Sequence, residues 1–140
     1  MSVRRNLQRE DGAAAVEFAL IVGLLAILVF GLLEYGLAFW QVQNLRAAAR
    51  EGARVAAVGG DDADVRTAME ESSVGAFSGS STFTRNRTCD QTEATQGQPV
   101  TITINNASLP GSVQEAFSVN IPFIPAITLN PTLSGTFRCE

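Results

Sequence analysis

FALIVGLLAILVFGLL, Phe18 to Leu33, runs for sixteen residues without a charge, and its reading decides the fold. Extended back to Ala13 the stretch covers twenty-one positions, with Glu17 as its one charged residue. As a helix this length measures about 31 Å, close to the hydrocarbon thickness of a bilayer. Of the chain's 64 apolar residues, 23 lie in the 28 positions from Ala13 to Trp40, so the other 112 positions hold 41, few for a chain that must bury a core. A buried helix of a soluble protein is the competing reading. The 80 to 100 residues left over could not enclose so uniform an apolar cylinder, so a membrane span is expected over residues 13–40.

The flanks give the span a direction. MSVRRNLQRED carries three arginines and a free amine against two acids, whereas the far side meets Glu34 first and Arg46 only later. The positive-inside bias then keeps the N-terminus in the cytoplasm and exports the C-terminal hundred residues. The expected location is the cytoplasmic (inner) membrane, crossed once, with Tyr35, Phe39 and Trp40 as an aromatic belt at the outer interface. A cleaved secretory signal is the alternative. Its apolar core would be shorter than this one, and Ala47 and Ala49, which fit the small positions, fall well beyond Leu33 in what reads as continuing helix.

Glu17 stands out because a carboxylate at mid-bilayer costs about 2.5 to 3.5 kcal/mol, and less near an interface. It reads either as a partly solvated acid near a helix N-terminus, where the macrodipole favours it, or as an acid with a positive partner on another subunit. Ala15, Ala19, Gly23 and Gly31 recur at multiples of four with Ile27 between them, a small-residue row through which helix backbones can approach closely. Past Trp40 the pattern turns amphipathic over residues 41–58. Val42, Leu45, Ala49, Gly52 and Ala56 form one narrow stripe, while Arg46, Arg50 and Arg54 recur every four residues on another face. That face reads as solvated for any single arginine or, for the row, as one with acidic partners such as Glu51, the Asp61 to Asp64 cluster, a neighbouring subunit or lipid phosphate. Gly59-Gly60 then stops the helix, and Asp61 or Asp62 caps a second one running to about Ser73.

Residues 59–81 thus hold a short helix and a Ser/Gly linker, SSVGAFSGSS by composition. From 82 to 140 the chain favours strands: Thr82 to Thr88, PVTITIN, FSVNI and LSGTFRC. The prolines of IPFIPAITLNP make that stretch an edge or a loop. The expected fold class is α+β, a long N-terminal transmembrane and stalk helix followed by a small antiparallel β domain. With 28 apolar residues among the 80 from Asp61 onward, that domain needs a staple. Cys89 and Cys139, the two cysteines of the chain, lie on the exported side and are expected to form a disulfide.

Composition narrows the chemistry. The chain has no histidine and no lysine, and neither a GxSxG nor a CxxC motif, so catalytic triads, phosphate-binding lysine loops and most zinc sites are excluded. The acids from Asp61 to Glu71 suit a helix cap and a solvated turn better than a calcium loop. With 7 arginines against 10 acids from Gln41 onward, nucleic-acid binding is not expected. No enzyme activity, cofactor, metal or small-molecule substrate is foreseen.

Gly12 to Phe18 reads as a glycine, four small or apolar residues, then Glu-Phe at the head of the apolar run. This resembles the processing site of the pseudopilins of tight-adherence pili. The resemblance continues to Arg54 and is to TadE-like proteins, through Glu17-Phe18, Gly31, Glu34, Gly36 and Ala49-Arg50-Glu51-Gly52-Ala53-Arg54. SVNIPFIP and TLSGTFRCE resemble the C-terminal strands of that family less specifically. The resemblance implies a minor pilin of a type IVc-like pilus, with residues 1–12 a cytoplasmic leader that a prepilin peptidase removes between Gly12 and Ala13. It also implies that Glu17, with Phe18 beside it, contacts the new amine of a neighbouring subunit, and that the partners are the peptidase, other pilins, the assembly machinery and membrane lipid. The runner-up is an unprocessed, signal-anchored protein whose exported domain binds a surface or envelope ligand.

Overall fold

The structure, a computed structural model, describes the backbone of residues 4–140 and the side chains of residues 12–140. Helix α1, Arg4–Ala57, is unbroken through Gly36 and Gly52, and its 54 residues extend about 81 Å. No proline interrupts it, and its apolar half is rich in leucine and alanine, good helix formers. Its end is a Schellman motif. Gly59 takes φ +90° and donates to the Ala56 carbonyl, and Gly60 donates to that of Val55.

Asp61, of the two expected caps, starts helix α2, Asp62–Ser72. Its carboxylate accepts from the Ala63 and Asp64 amides at 2.8 and 2.9 Å, and Asp64 returns the bond to the Asp61 amide. Val65 and Met69 of α2 pack on α1 at Gly52, where an added Cβ would come within 2.7 Å of Met69 Cγ.

Three strands form an antiparallel sheet in the order β1 (Phe83–Arg85), β2 (Pro99–Ile104), β5 (Ser134–Arg138). Val100, Ile102 and Ile104 of β2 face inward and are fully or nearly fully buried, while Thr101 and Thr103 point outward, as their alternation dictates. The sheet lies on the upper half of α1. The predicted stripe of Val42, Leu45, Ala49, Gly52 and Ala56 is the buried face of the helix. Gly135 of β5 rests directly on the α1 backbone: a Cβ there would stand 2.5 Å from the Ala49 carbonyl carbon and the Arg50 nitrogen.

The rest of the β region departs from the expected strands. FSVNI contributes only β3, Ser118–Val119, which pairs with β4, Ile127–Thr128, in a separate two-stranded hairpin. A 3-10 turn, Asn106–Ser108, and a one-and-a-half-turn helix α3, Gly111–Ala116, occupy the stretch that the Pro110-Gly111 pair suggested was simple punctuation. The Pro110 carbonyl accepts from both Val113 and Gln114 and so opens the helix instead of breaking it. The Ser/Gly stretch 72–81 is pinned at four buried positions, Ser73, Ala76, Phe77 and Ser81. Phe77 is wholly buried in the core, and the Ser73 hydroxyl bonds the Phe77 amide and carbonyl.

Cys89 and Cys139 are bonded, closing a sequence separation of 50 and fastening the end of β5 to the loop after β1. The Glu140 amide donates to the Ala57 carbonyl at the end of α1, so helix and sheet terminate on each other.

Candidate processing and assembly site

The segment singled out in the sequence lies on the lower half of α1, where almost nothing covers it. Gly12, Ala13, Ala15, Glu17, Phe18 and Ala19 are all exposed, Phe18 by 68%. An added Cβ at Gly12 or Gly23 would meet nothing within 4 Å. The most apolar eighteen-residue window of this helix has none of its residues buried, so α1 is long and apolar enough to cross a membrane. In water such a surface is costly, at roughly 25 cal/mol per Å² of apolar area. Lipid or neighbouring helices are the surroundings that remove this cost.

The geometry at the head of the run is specific. Gly12 is already within helix α1, and glycine weakens a helix by about 1 kcal/mol relative to alanine. Gly12 and Ala13 are thus exposed on the helix at a residue of low helix propensity. Glu17 stands about 20 Å beyond Arg4 along α1, too far to feel a helix N-terminus there. The solvated-acid reading of Glu17 thus loses its macrodipole support in this helix.

At 100° per residue, Glu17 points about 160° away from Ala15 and Ala19. The acid and the head of the small-residue row face opposite sides of the rod. Gly31 behaves differently from the other members of that row. It does not lie open for a neighbouring helix, because Ile121 of the same chain covers it, Ile121 Cδ1 standing 3.3 Å from where a Cβ would be. The side chains of Arg4, Arg5, Arg9, Glu10 and Asp11, on which the orientation argument drew, lie outside the described residues.

Higher on α1, Arg54 finds an acid on its own helix. Its guanidinium meets Glu51 at 2.6 Å, and this pairing holds the Glu51 carboxyl below the usual range. Both groups are substantially exposed, so solvent screens the pair and it contributes little to stability. Arg46 and Arg50 make no ion pair among the described residues. Asp62 pairs instead with Arg85 at 2.8 Å, and Asp61 and Asp64 are committed to the α2 cap. Among the described residues, no group of three or more His, Cys, Asp or Glu is placed to hold a metal.

Two clefts mark the β domain. The larger, about 530 Å³, is lined by Asp62, Arg66, Phe83, Arg85, Arg87 and neighbouring polar groups. Its arginines are already engaged: Arg85 bonds Asp62 and the Gly60 carbonyl, and Arg66 bonds the Ser81 carbonyl and lies over the Phe77 and Phe83 rings. They serve to join α2 to β1.

Against this geometry, the comparison with known families is direct. Residues 12–54 match the family of TadE-like proteins. No curated protein and no solved structure matches the chain. The TadE-like segment begins at the glycine that heads the exposed apolar run and ends at Arg54, one turn before α1 does. It therefore spans the whole bare half of the helix together with most of the half that the β domain covers. The match points to a protein associated with a tight-adherence pilus.

Sequence reasoning missed the residues that fit the β domain to the TadE-like helix. Gly135 and Ile121 carry no local signal of a contact with α1. A charge-free run of 22 residues from Ala116 to Phe137 was the available pointer to an apolar hairpin.

Proposed function

We propose that this chain is a minor pilin of a tight-adherence pilus, a structural subunit that helps to initiate or cap the filament. A prepilin peptidase cuts after Gly12, the N-terminus faces the cytoplasm before the cut, and the β domain is exported. The observation that carries this reading is the bare apolar half of α1, with Glu17 five residues after Gly12, lying within the TadE-like match of residues 12–54.

The chemistry is economical. Cutting removes Arg4, Arg5, Arg9, Glu10 and Asp11, takes the formal charge from -4 to -5 and deletes the basic anchor of the leader. It creates an ammonium at Ala13. That ammonium and Glu17 are each costly near hydrocarbon, and pairing between subunits relieves both. With Glu17 and the Ala15/Ala19 face on opposite sides of the rod, a subunit can engage one neighbour through its acid and another through its small residues, as packing around a filament axis requires.

Glu17→Gln keeps the shape of the side chain and removes its charge. In a cell making the pilus, it should leave membrane insertion and the amount of protein unchanged while reducing piliation about tenfold, the effect of losing a pair worth about 1.4 kcal/mol. Piliation counted by electron microscopy, against membrane-fraction immunoblots, reads both. Normal piliation in the variant would remove the charge-pairing role.

A further inference from the structure

The β3–β4 hairpin is the least expected part of the surface. Its tip, Asn-Ile-Pro-Phe-Ile-Pro-Ala from 120 to 126, presents Phe123 at 96% exposure, with Ile124 and Ile127 about half exposed. Phe123 takes φ +69°, a left-handed conformation that a bulky residue rarely adopts, and this turns its ring away from the domain. The hairpin does not hang free. Ile121 packs against Gly31, two residues before the charge-free run of α1 ends at Leu33. On the same face of the helix Ile27, Gly31, Glu34 and Ala38 are shielded or buried, while the residues between them are exposed.

We propose that the hairpin tip is a second membrane anchor, its Phe123 and Ile124 side chains entering the lipid of the leaflet on the β domain's side beside α1. This rests on α1 being the membrane span. Gly31 lies about 3 Å inside the end of the apolar run, which puts the tip at the boundary between headgroups and acyl chains. Tyr35, Phe39 and Trp40, all about half exposed, mark the same interface on the helix. No charge lies between Ala116 and Phe137, so none has to be desolvated as the tip enters. The backbone is suited to that depth as well. Pro122 and Pro125 have no amide N–H, and the Ile124 amide donates to the Ile121 carbonyl, leaving few unsatisfied donors for the interface to accommodate. The anchor holds the β domain against the membrane surface and fixes its rotation about the helix.

Depth-resolved fluorescence quenching on the full chain, reconstituted in phosphatidylcholine/phosphatidylglycerol vesicles, tests this. An environment-sensitive thiol dye is placed by Phe123→Cys, by Ile124→Cys with Phe123 retained, by Leu25→Cys in the span, and by Glu93→Cys. The native cysteines, being bonded, take no label. Glu93 follows Gln91, whose side chain bonds the Val58 carbonyl about 40 Å along α1 from Gly31. The probes at 123 and 124 should emit to the blue and lose emission to lipid carrying a nitroxide on the upper acyl chain, the probe at 25 should do the same with a nitroxide near the end of the acyl chain, and the probe at 93 should lose emission to aqueous iodide. Iodide quenching at 123 and 124 overturns the proposal. Shielding of those two from both quenchers, the signature of a neighbouring subunit on the hairpin, overturns it too. Absence of lipid quenching at 25 removes the span itself and the anchor with it, whereas quenching at 25 alone removes only the anchor.

Discussion

Gly135→Ala should unfold most of the β domain in a chain whose α1 helix stays intact. A methyl group at Gly135 would overlap the Ala49 carbonyl and the Arg50 nitrogen, which are backbone atoms inside a continuous helix and cannot rotate aside as a side chain would. Relief requires β5 to lift from α1, and β5 carries the sheet pairing with β2 and ends at the disulfide. Overpacking that displaces backbone costs about 3 kcal/mol or more, a large share of the roughly 5 kcal/mol available to a domain this small. Gly111→Ala is the matched control, because an added Cβ there meets nothing within 4 Å and its backbone is helical. Hydrogen exchange on the full chain in detergent reads the outcome at β2. The Val100 to Ile104 amides should lose protection in Gly135→Ala, keep it in Gly111→Ala, and remain protected along Leu24 to Leu33 in both.

Replacing Cys89 and Cys139 together with serine should destabilise the β domain by about 4 kcal/mol, the loop-closure entropy for some 50 residues. Two buried sulfurs give way to two hydroxyls in a site made for a disulfide, and the desolvation of these adds to the loss. For a domain of this size a loss of 4 kcal/mol corresponds to a fall in melting temperature of about 16 °C or more. Trypsin reports it directly, since Arg66, Arg85 and Arg87 all lie inside the stretch that the domain protects. The double variant should be cut there at 37 °C while the oxidised chain survives. Equal survival of the two chains would mean that the bridge contributes little.

These two effects differ in how far the sequence announced them. The cysteines were legible because pairing follows from compartment and number, and the long helix because a charge-free run of known length has few alternatives. A cap at Asp61 or Asp62 was legible from the acids after the glycine pair, and the structure chooses Asp61, with Asp64 three residues on closing the capping box. Gly135 was not. Within LSGTFRC a glycine reads as a weak point of a strand, and only the approach of β5 to Ala49 makes it a requirement. Phe77 was hidden by its Ser/Gly neighbours, whose composition signals a linker although the phenylalanine buries itself under β1. The stretch around Phe123 was read as an edge or a loop, and it holds both a loop and the short strand β4; its position beside Gly31 depends on how the β domain seats on α1, which no local pattern records.

The same division holds for the candidate site. Gly12, Ala13, Glu17 and Phe18 were picked out in the sequence by spacing and by a family resemblance, and the exposure of every one of them on α1 is what a segment destined for a peptidase and for neighbours needs. Gly31, placed in the same row, is already occupied by Ile121. Of that row, Ala15, Ala19 and Gly23 are exposed, whereas Gly31 has Ile121 of its own chain beside it.

The central claim is that the chain is a processed subunit, and the mass of the mature protein tests it most directly. Extracted from the membrane of a cell that expresses a prepilin peptidase, the chain should begin at Ala13 by intact-mass and N-terminal peptide spectrometry, and should keep its first twelve residues in a strain without the peptidase. A chain that retains Met1 to Gly12 in both strains would contradict the account.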